Sequence, residues 1–149
     1  MEKNSPPKRG SLIPYLLVAG VKDLLVYLEQ ALGATTLLAL DAPNGRVMHA
    51  EVLIEGSMVM MGEPPEGLDL MPGSIYLTVS DCDAVYARAL ESGGKSIMEV
   101  MDMPHAGERY GGVQDPAGNI WWIASQIDAL SEEEQRRRIE AGMVPKPKF

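Results

Sequence analysis

Leu12-Ile13-Pro14-Tyr15-Leu16-Leu17-Val18 and Gly73-Ser74-Ile75-Tyr76-Leu77-Thr78-Val79 are one pattern written twice. Each is a short apolar run rich in strand formers. Each leads into a helical periodicity that stops at glycine, Gly33 in the first case and Gly93-Gly94 in the second. At an offset of 61 residues, Tyr15 meets Tyr76, Leu16 meets Leu77, Val18 meets Val79 and Gly33 meets Gly94. A repeat decides the architecture before local propensity does. Two copies are too few for a solenoid, so the pattern reads as a paired module, with a ligand site where the copies meet. The alternative at this point is a chance match between two ordinary strand–helix units.

Working outward, the first module covers residues 12–61. Leu24, Leu25, Leu28 and Leu32 form one helical face, and Gly33 is a fitting C-cap. Ala34 to Asp41 reads as a strand, and Asn44-Gly45 is a hairpin turn. Arg46 to Ile54 and Ser57 to Met61 complete the unit. Residues 62–73 form a Pro- and Gly-rich linker. The second module, 74–125, repeats the scheme, with Asp81 placed to cap a helix that carries Val85, Ala89 and Leu90. Lys95 to Met103, Glu108 to Asp115 and Asn119 to Ser125 are its three further strands, with turn chemistry throughout Asp115-Pro116-Ala117-Gly118-Asn119. A last helix spans 131–142, opened by a Ser131/Glu134 capping box and closed by Gly142. Each module is thus β-α-β-β-β: a small sheet with one face covered by a helix and the other left open.

At 149 residues the chain reads as one domain, 1–149, with the modules as its halves. The stretch Leu12 to Val21 is too short to span a bilayer. Met1 to Gly10 lacks the apolar core of a secretory signal and reads as a loose leader. Cys82 is the only cysteine, which excludes an internal disulfide and fits a reducing, cytoplasmic setting. Its place at a helix start could activate the thiol, but no base is evident, and a buried small residue is the plainer reading. A formal charge of −8 disfavours nucleic acid and anionic membranes as partners. Arg136-Arg137-Arg138, following Glu132-Glu133-Glu134, is ordered as a solvated helix obeying its dipole.

The β-α-β-β-β duplication, ending in Asp115-Pro116-Ala117-Gly118-Asn119-Ile120-Trp121-Trp122, resembles the vicinal oxygen chelate superfamily. Glyoxalase I, extradiol dioxygenases and fosfomycin- and bleomycin-resistance proteins belong to it. Val47-Met48-His49-Ala50-Glu51-Val52, Gly107-Glu108-Arg109-Tyr110-Gly111-Gly112-Val113 and the Ser131 to Arg138 helix are similar to its PhnB-like branch. The resemblance implies a glyoxalase-like α+β fold, with two βαβββ modules pairing into a curved sheet around a cleft, plus a C-terminal helix. It also implies a homodimer, a common state in the superfamily, with modules pairing within a chain or between chains. Since one fold hosts many chemistries, the reaction does not follow from it.

Metal-dependent members place ligands at corresponding points of the first and last strand of each module. By resemblance those points are Ile13, Met61, Ser74 and Trp122, joined in pairs by the 61-residue offset. None is an imidazole, carboxylate or thiolate, so no metal or other cofactor is expected in the ancestral manner. A displaced metal would need His49 and Glu51, with His105 as a distant third.

His49 and Glu51 share a strand face and should look into the cleft, with Met48, Ala50, Val52 and Ile54 packed beneath the helix. A water-facing strand, a ligand contact by Glu51 and an acid–base role for the pair all remain open. The offset carries their parity to Tyr110 and Gly112. Tyr15 and Tyr76 share the parity of Ile13 and Ser74, and Met61 and Trp122 join them from the closing strands. The expected ligand-binding set is therefore Tyr15, His49, Glu51, Met61, Tyr76, Tyr110 and Trp122, against the alternative that these rings are plain core. Trp121 alternates away into the core, and Arg109 should point outward, beside Glu108 or a carbonyl. Such a lining suits an apolar or aromatic small organic molecule. Sequestration of that ligand without metal or catalysis is the first functional expectation. The others are a lyase or isomerase using Glu51 and His49, and a subunit whose cleft its own side chains fill.

Overall fold

The structure, a computed structural model, describes residues 10–149, so most of the expected leader lies outside the described residues. The first module runs β1 (Tyr15–Leu17), α1 (Val21–Leu32), β2 (Thr35–Asp41), β3 (Val47–Ile54) and β4 (Ser57–Gly62). The second runs β5 (Ser74–Thr78), α2 (Cys82–Glu91), β6 (Lys95–Met103), β7 (Glu108–Gln114) and β8 (Ile120–Gln126), and α3 (Glu132–Glu140) follows. The fold is α+β. Its two four-stranded mixed sheets have the orders β1-β4-β3-β2 and β5-β8-β7-β6, with β1 parallel to β4 and β5 parallel to β8.

Local chemistry accounts for the boundaries. Gly33 ends α1 in the left-handed region, and the Ala34 amide donates back to Leu28 O. The Asp81 carboxylate accepts the Ala84 amide at the start of α2. Ser131 accepts the Glu134 amide at the start of α3, but the Glu134 carboxylate turns to Arg137 and Arg138 rather than back to the cap. Only half of the expected capping box forms, because two guanidinium groups outcompete one amide for the carboxylate. With Arg136 on Glu132, the basic triplet is fully committed within its own helix and to Asp128 and the Pro104 carbonyl.

The two modules share one apolar core. It runs from Leu16, Val52 and Met61 through α1 and α2 to Val113, Trp121 and Ile123. Helix packs on helix at its centre, where Tyr27 OH donates to Ala89 O and Arg88 Nε donates to Ala31 O. Burial, and then the charge of Asp115, push the Tyr27 phenol up to about 12, so it remains a donor at any physiological pH. The helices lie between the sheets, and this leaves the other face of each sheet turned outward.

The offset between modules is 61 residues as far as β3 and β7, where Glu51 corresponds to Gly112. It becomes 62 at β4 and β8: Glu51 stands opposite Met60, whereas Gly112 stands opposite Trp122. The extra residue sits in the second hairpin. Four residues separate the partners Leu53 and Met58, and five separate Gln114 and Ile120. One residue of slip reverses every side chain beyond it. Met61 is therefore the counterpart of Ile123, both 0% exposed in the core, and the expectation that Met61 lines a cleft is corrected. Met60 takes the outward face instead. Met48 is corrected in the opposite sense. A register shift between Leu40 and Asp41 lifts it off the covered face, leaving it 56% exposed.

Candidate functional site

The seven expected site residues fall into two clusters and one core position. On the outward face of the first sheet, Tyr15, His49 and Glu51 gather across β1 and β3. His49 Nε2 lies 3.1 Å from Glu51 Oε1, and the Tyr15 and His49 rings meet edge to face with centroids 6.2 Å apart. Glu51 is only 5% exposed although, among the described residues, no helix covers this face. The strand parity of the pair is as expected, since Ala50, Val52 and Ile54 are buried on the other side.

The outward face of the second sheet carries the aromatic cluster. Tyr76 and Tyr110 are 5.8 Å apart at 70°, and Tyr110 and Trp122 are 6.3 Å apart at 88°. Trp122 Nε1 donates to Ser74 Oγ across β5 and β8. Gly112 makes the arrangement possible: a Cβ there would stand 2.7 Å from the Trp122 ring, so the indole lies directly on bare backbone. A hollow of about 280 Å³ opens between Tyr76, Met98, Tyr110, Trp122, Pro147 and Phe149. Pro147 and Phe149 come from the segment after α3.

A residue missed at the sequence level completes this face. Glu108 precedes Tyr110 by two positions on β7, and its carboxylate accepts the Tyr76 hydroxyl. Burial, and secondly this hydrogen bond, hold the Tyr76 phenol far above its ordinary pKa, so Tyr76 stays a neutral donor. Arg109, expected beside Glu108 or a carbonyl, instead forks between Asp83 on α2 and Asp102 on β6. The guanidinium fits two carboxylates on its own side of the sheet and leaves Glu108 to the other. The period-2 pattern places Glu108 on the same face as Tyr110, but nothing local in the sequence points to its partner Tyr76.

The two clusters do not meet within the chain. Where the modules adjoin, a separate groove of about 680 Å³ lies between the β3–β4 hairpin and β5, and of the seven candidates only Tyr76 borders it. His105, the distant third ligand considered above, stands in the β6–β7 turn. Among the described residues no group of three or more His, Cys, Asp or Glu is placed to hold a metal ion.

The Asp115–Asn119 turn is structural. The Asp115 carboxylate, 4% exposed, accepts the amides of Ala117 and Asn119, the Asn119 side-chain NH₂ and Trp121 Nε1. Asn119 Oδ1 in turn accepts the Gly73 amide, tying the linker to β8. Cys82 is buried as expected, its amide donating to Ser125 Oγ.

This duplicated βαβββ unit coincides with a match of the Glyoxalase/Bleomycin resistance protein/Dioxygenase superfamily profile over residues 15–123. The chain belongs to that superfamily. Uncharacterised proteins of Mycobacterium bovis and Mycobacterium tuberculosis are each 30% identical over 135 residues, covering 83% of this chain and 88% and 79% of theirs. TioX from Micromonospora sp. ML1 superposes with a TM-score of 0.64 at 22% identity, covering 82% of this chain and all of that one. A PhnB protein from Bacillus cereus gives 0.61 at 18% identity, with 78% and 99% covered. At those identities the two structures establish the fold alone.

The residues at the four positions that the resemblance assigns to a metal do not fit one there. Ile13 and Trp122 carry no suitable donor. Ser74 holds its hydroxyl against the Trp122 indole. Met61 is enclosed in the core, and its outward neighbour Met60 offers only another thioether. Among the described residues, no helix is long and apolar enough to cross a membrane.

Proposed function

We propose that this protein is a metal-independent binder of a small apolar or aromatic organic molecule, of the bleomycin-resistance type and the PhnB-like branch, acting in the cytoplasm. The observation that carries the reading is the Tyr76–Tyr110–Trp122 cluster, three rings at steep angles on a sheet face that, among the described residues, no helix covers. In a single-chain core such rings would be enclosed, yet Tyr76 is 49% exposed. Large apolar surface held open in this way marks a binding face.

The same argument supports a homodimer. Leu37, Leu40, Met48 and Tyr15 are exposed on the first sheet, as Tyr76 is on the second. A second copy would cover both, its second sheet facing the Tyr15, His49 and Glu51 cluster of the first copy and completing the ligand cleft. Light scattering is expected to give a dimer at micromolar concentration, and a monomer would count against this assembly.

The functional test is a thermal-shift screen of protein dialysed against EDTA, with a panel of divalent metals and a library of aromatic metabolites and antibiotics. Specific binders raise the melting point by mass action, about 2.7 kcal/mol at a hundredfold excess over Kd. The expected result is stabilisation by aromatic compounds and not by metals. A full equivalent of zinc, nickel or iron in protein purified without added chelator, lost on His49→Ala, would overturn it.

A second reading rests on the 3.1 Å His49–Glu51 contact. In a lyase or isomerase, Glu51 would be the base and His49 the group that orients it. Glu51→Gln separates the readings: turnover would vanish under the second, whereas under the first there is no turnover to lose.

A further inference from the structure

An apolar ligand would leave one group on the second open face unused, the carboxylate of Glu108. Glu108, Tyr110 and Gly112 alternate along β7 and so share the outward face. The Glu108 carboxylate is fixed by the Tyr76 hydroxyl, a neutral partner that leaves its charge uncompensated. The neighbouring guanidinium of Arg109 is committed to Asp83 and Asp102 on the other side, and among the described residues no cation pairs with Glu108. Glu108 stands at the rim of the aromatic hollow, joined to it through Tyr76, which lines it, whereas Lys146 and Lys148 flank Pro147 and face an adjoining groove along β6.

In a pair of rings near a right angle, one offers its face where the other offers its edge. Tyr76, Tyr110 and Trp122 therefore present π faces in more than one direction around the same hollow. Ring faces carry negative quadrupole density and attract ammonium groups within about 6 Å of the centroid. A chain of formal charge −8 also favours the approach of cations.

We propose that the Tyr76–Tyr110–Trp122 face selects a small organic cation, a protonated or quaternary amine on an aromatic or apolar body, with Glu108 as its counter-charge. This deepens the reading of that face as ligand-binding, and rests on it. The ammonium sits at the rim, against the Tyr76 ring and the Glu108 carboxylate that Tyr76 holds, while the apolar body fills the hollow toward Met98 and Phe149.

Two isosteric probes isolate the charge: 3-hydroxyphenyltrimethylammonium and 3-tert-butylphenol, titrated on the full-length protein with Trp122 fluorescence as readout. The cation is expected to bind about tenfold tighter than its neutral isostere, and added salt should narrow the difference. Glu108→Gln keeps an acceptor for the Tyr76 hydroxyl, so the face stays built. It should cut the cation's affinity by about three- to tenfold and leave 3-tert-butylphenol unchanged. Equal affinities for the two probes, or a cation preference untouched by Glu108→Gln, would overturn the proposal while the binding reading stands. If neither probe binds or perturbs Trp122, while the screen finds no other aromatic ligand, the binding reading itself falls.

Discussion

Asp115→Ala is expected to destabilise the protein by about 3–5 kcal/mol, the cost of stranding several buried donors at once. One carboxylate accepts four hydrogen bonds, from Ala117, Asn119 twice and Trp121. Two of the donors are side chains in the interior, on Asn119 and Trp121, both at most 1% exposed. At this chain length such a loss lowers the melting temperature by roughly 6–20 °C. Asp115→Asn keeps part of the acceptor capacity and should fall between wild type and Ala. Calorimetry on both variants checks the order. Near-wild-type stability for Asp115→Ala would mean that the turn is not held by its carboxylate.

The adjacent tryptophans should separate stability from binding. Trp121 is 1% exposed in the shared core, and Trp121→Ala should cost about 3–5 kcal/mol through lost burial and a cavity. Trp122 lies half-exposed on Gly112, with its indole N–H on Ser74. Trp122→Ala should cost only about 1 kcal/mol of stability. It should weaken an aromatic ligand by about 1–3 kcal/mol, through lost stacking and area. Denaturant melts and ligand titrations on the same two variants test both halves. A large stability loss in Trp122→Ala, with no ligand for the wild type, would turn the account toward the subunit reading, with the cleft filled from within.

The fold was legible because the repeat carries its own punctuation. Gly33 and Gly94 follow the helices, Asp81 and Ser131 open the next two, and strand parity puts Val52 and Trp121 inside. The placement of the candidate residues was legible in part. Parity brought His49 to Glu51 and Tyr110 to Trp122, since those relations depend on alternation along a strand and on pairing within one sheet. Met61 was misplaced because a constant offset cannot register the longer β7–β8 hairpin, and one added residue exchanges inside for outside. Met48 was misplaced because a register shift is set by pairing with β2, not by the local pattern. Glu108 went unrecognised because its partner Tyr76 lies 32 residues away, at a distance no local motif spans. That the two clusters lie on separate outward faces follows from α1 packing on α2, a tertiary preference invisible in either module alone.

The central claim is that aromatic ligands bind the open sheet face without a metal. The most direct measurement is a Trp122 fluorescence titration of EDTA-dialysed protein with the best compound from the thermal screen, alongside Trp122→Phe and Trp121→Phe. The account predicts a saturable change that persists in EDTA, is lost in Trp122→Phe and survives in Trp121→Phe. Binding that requires restored metal, or a signal that follows Trp121, would contradict it.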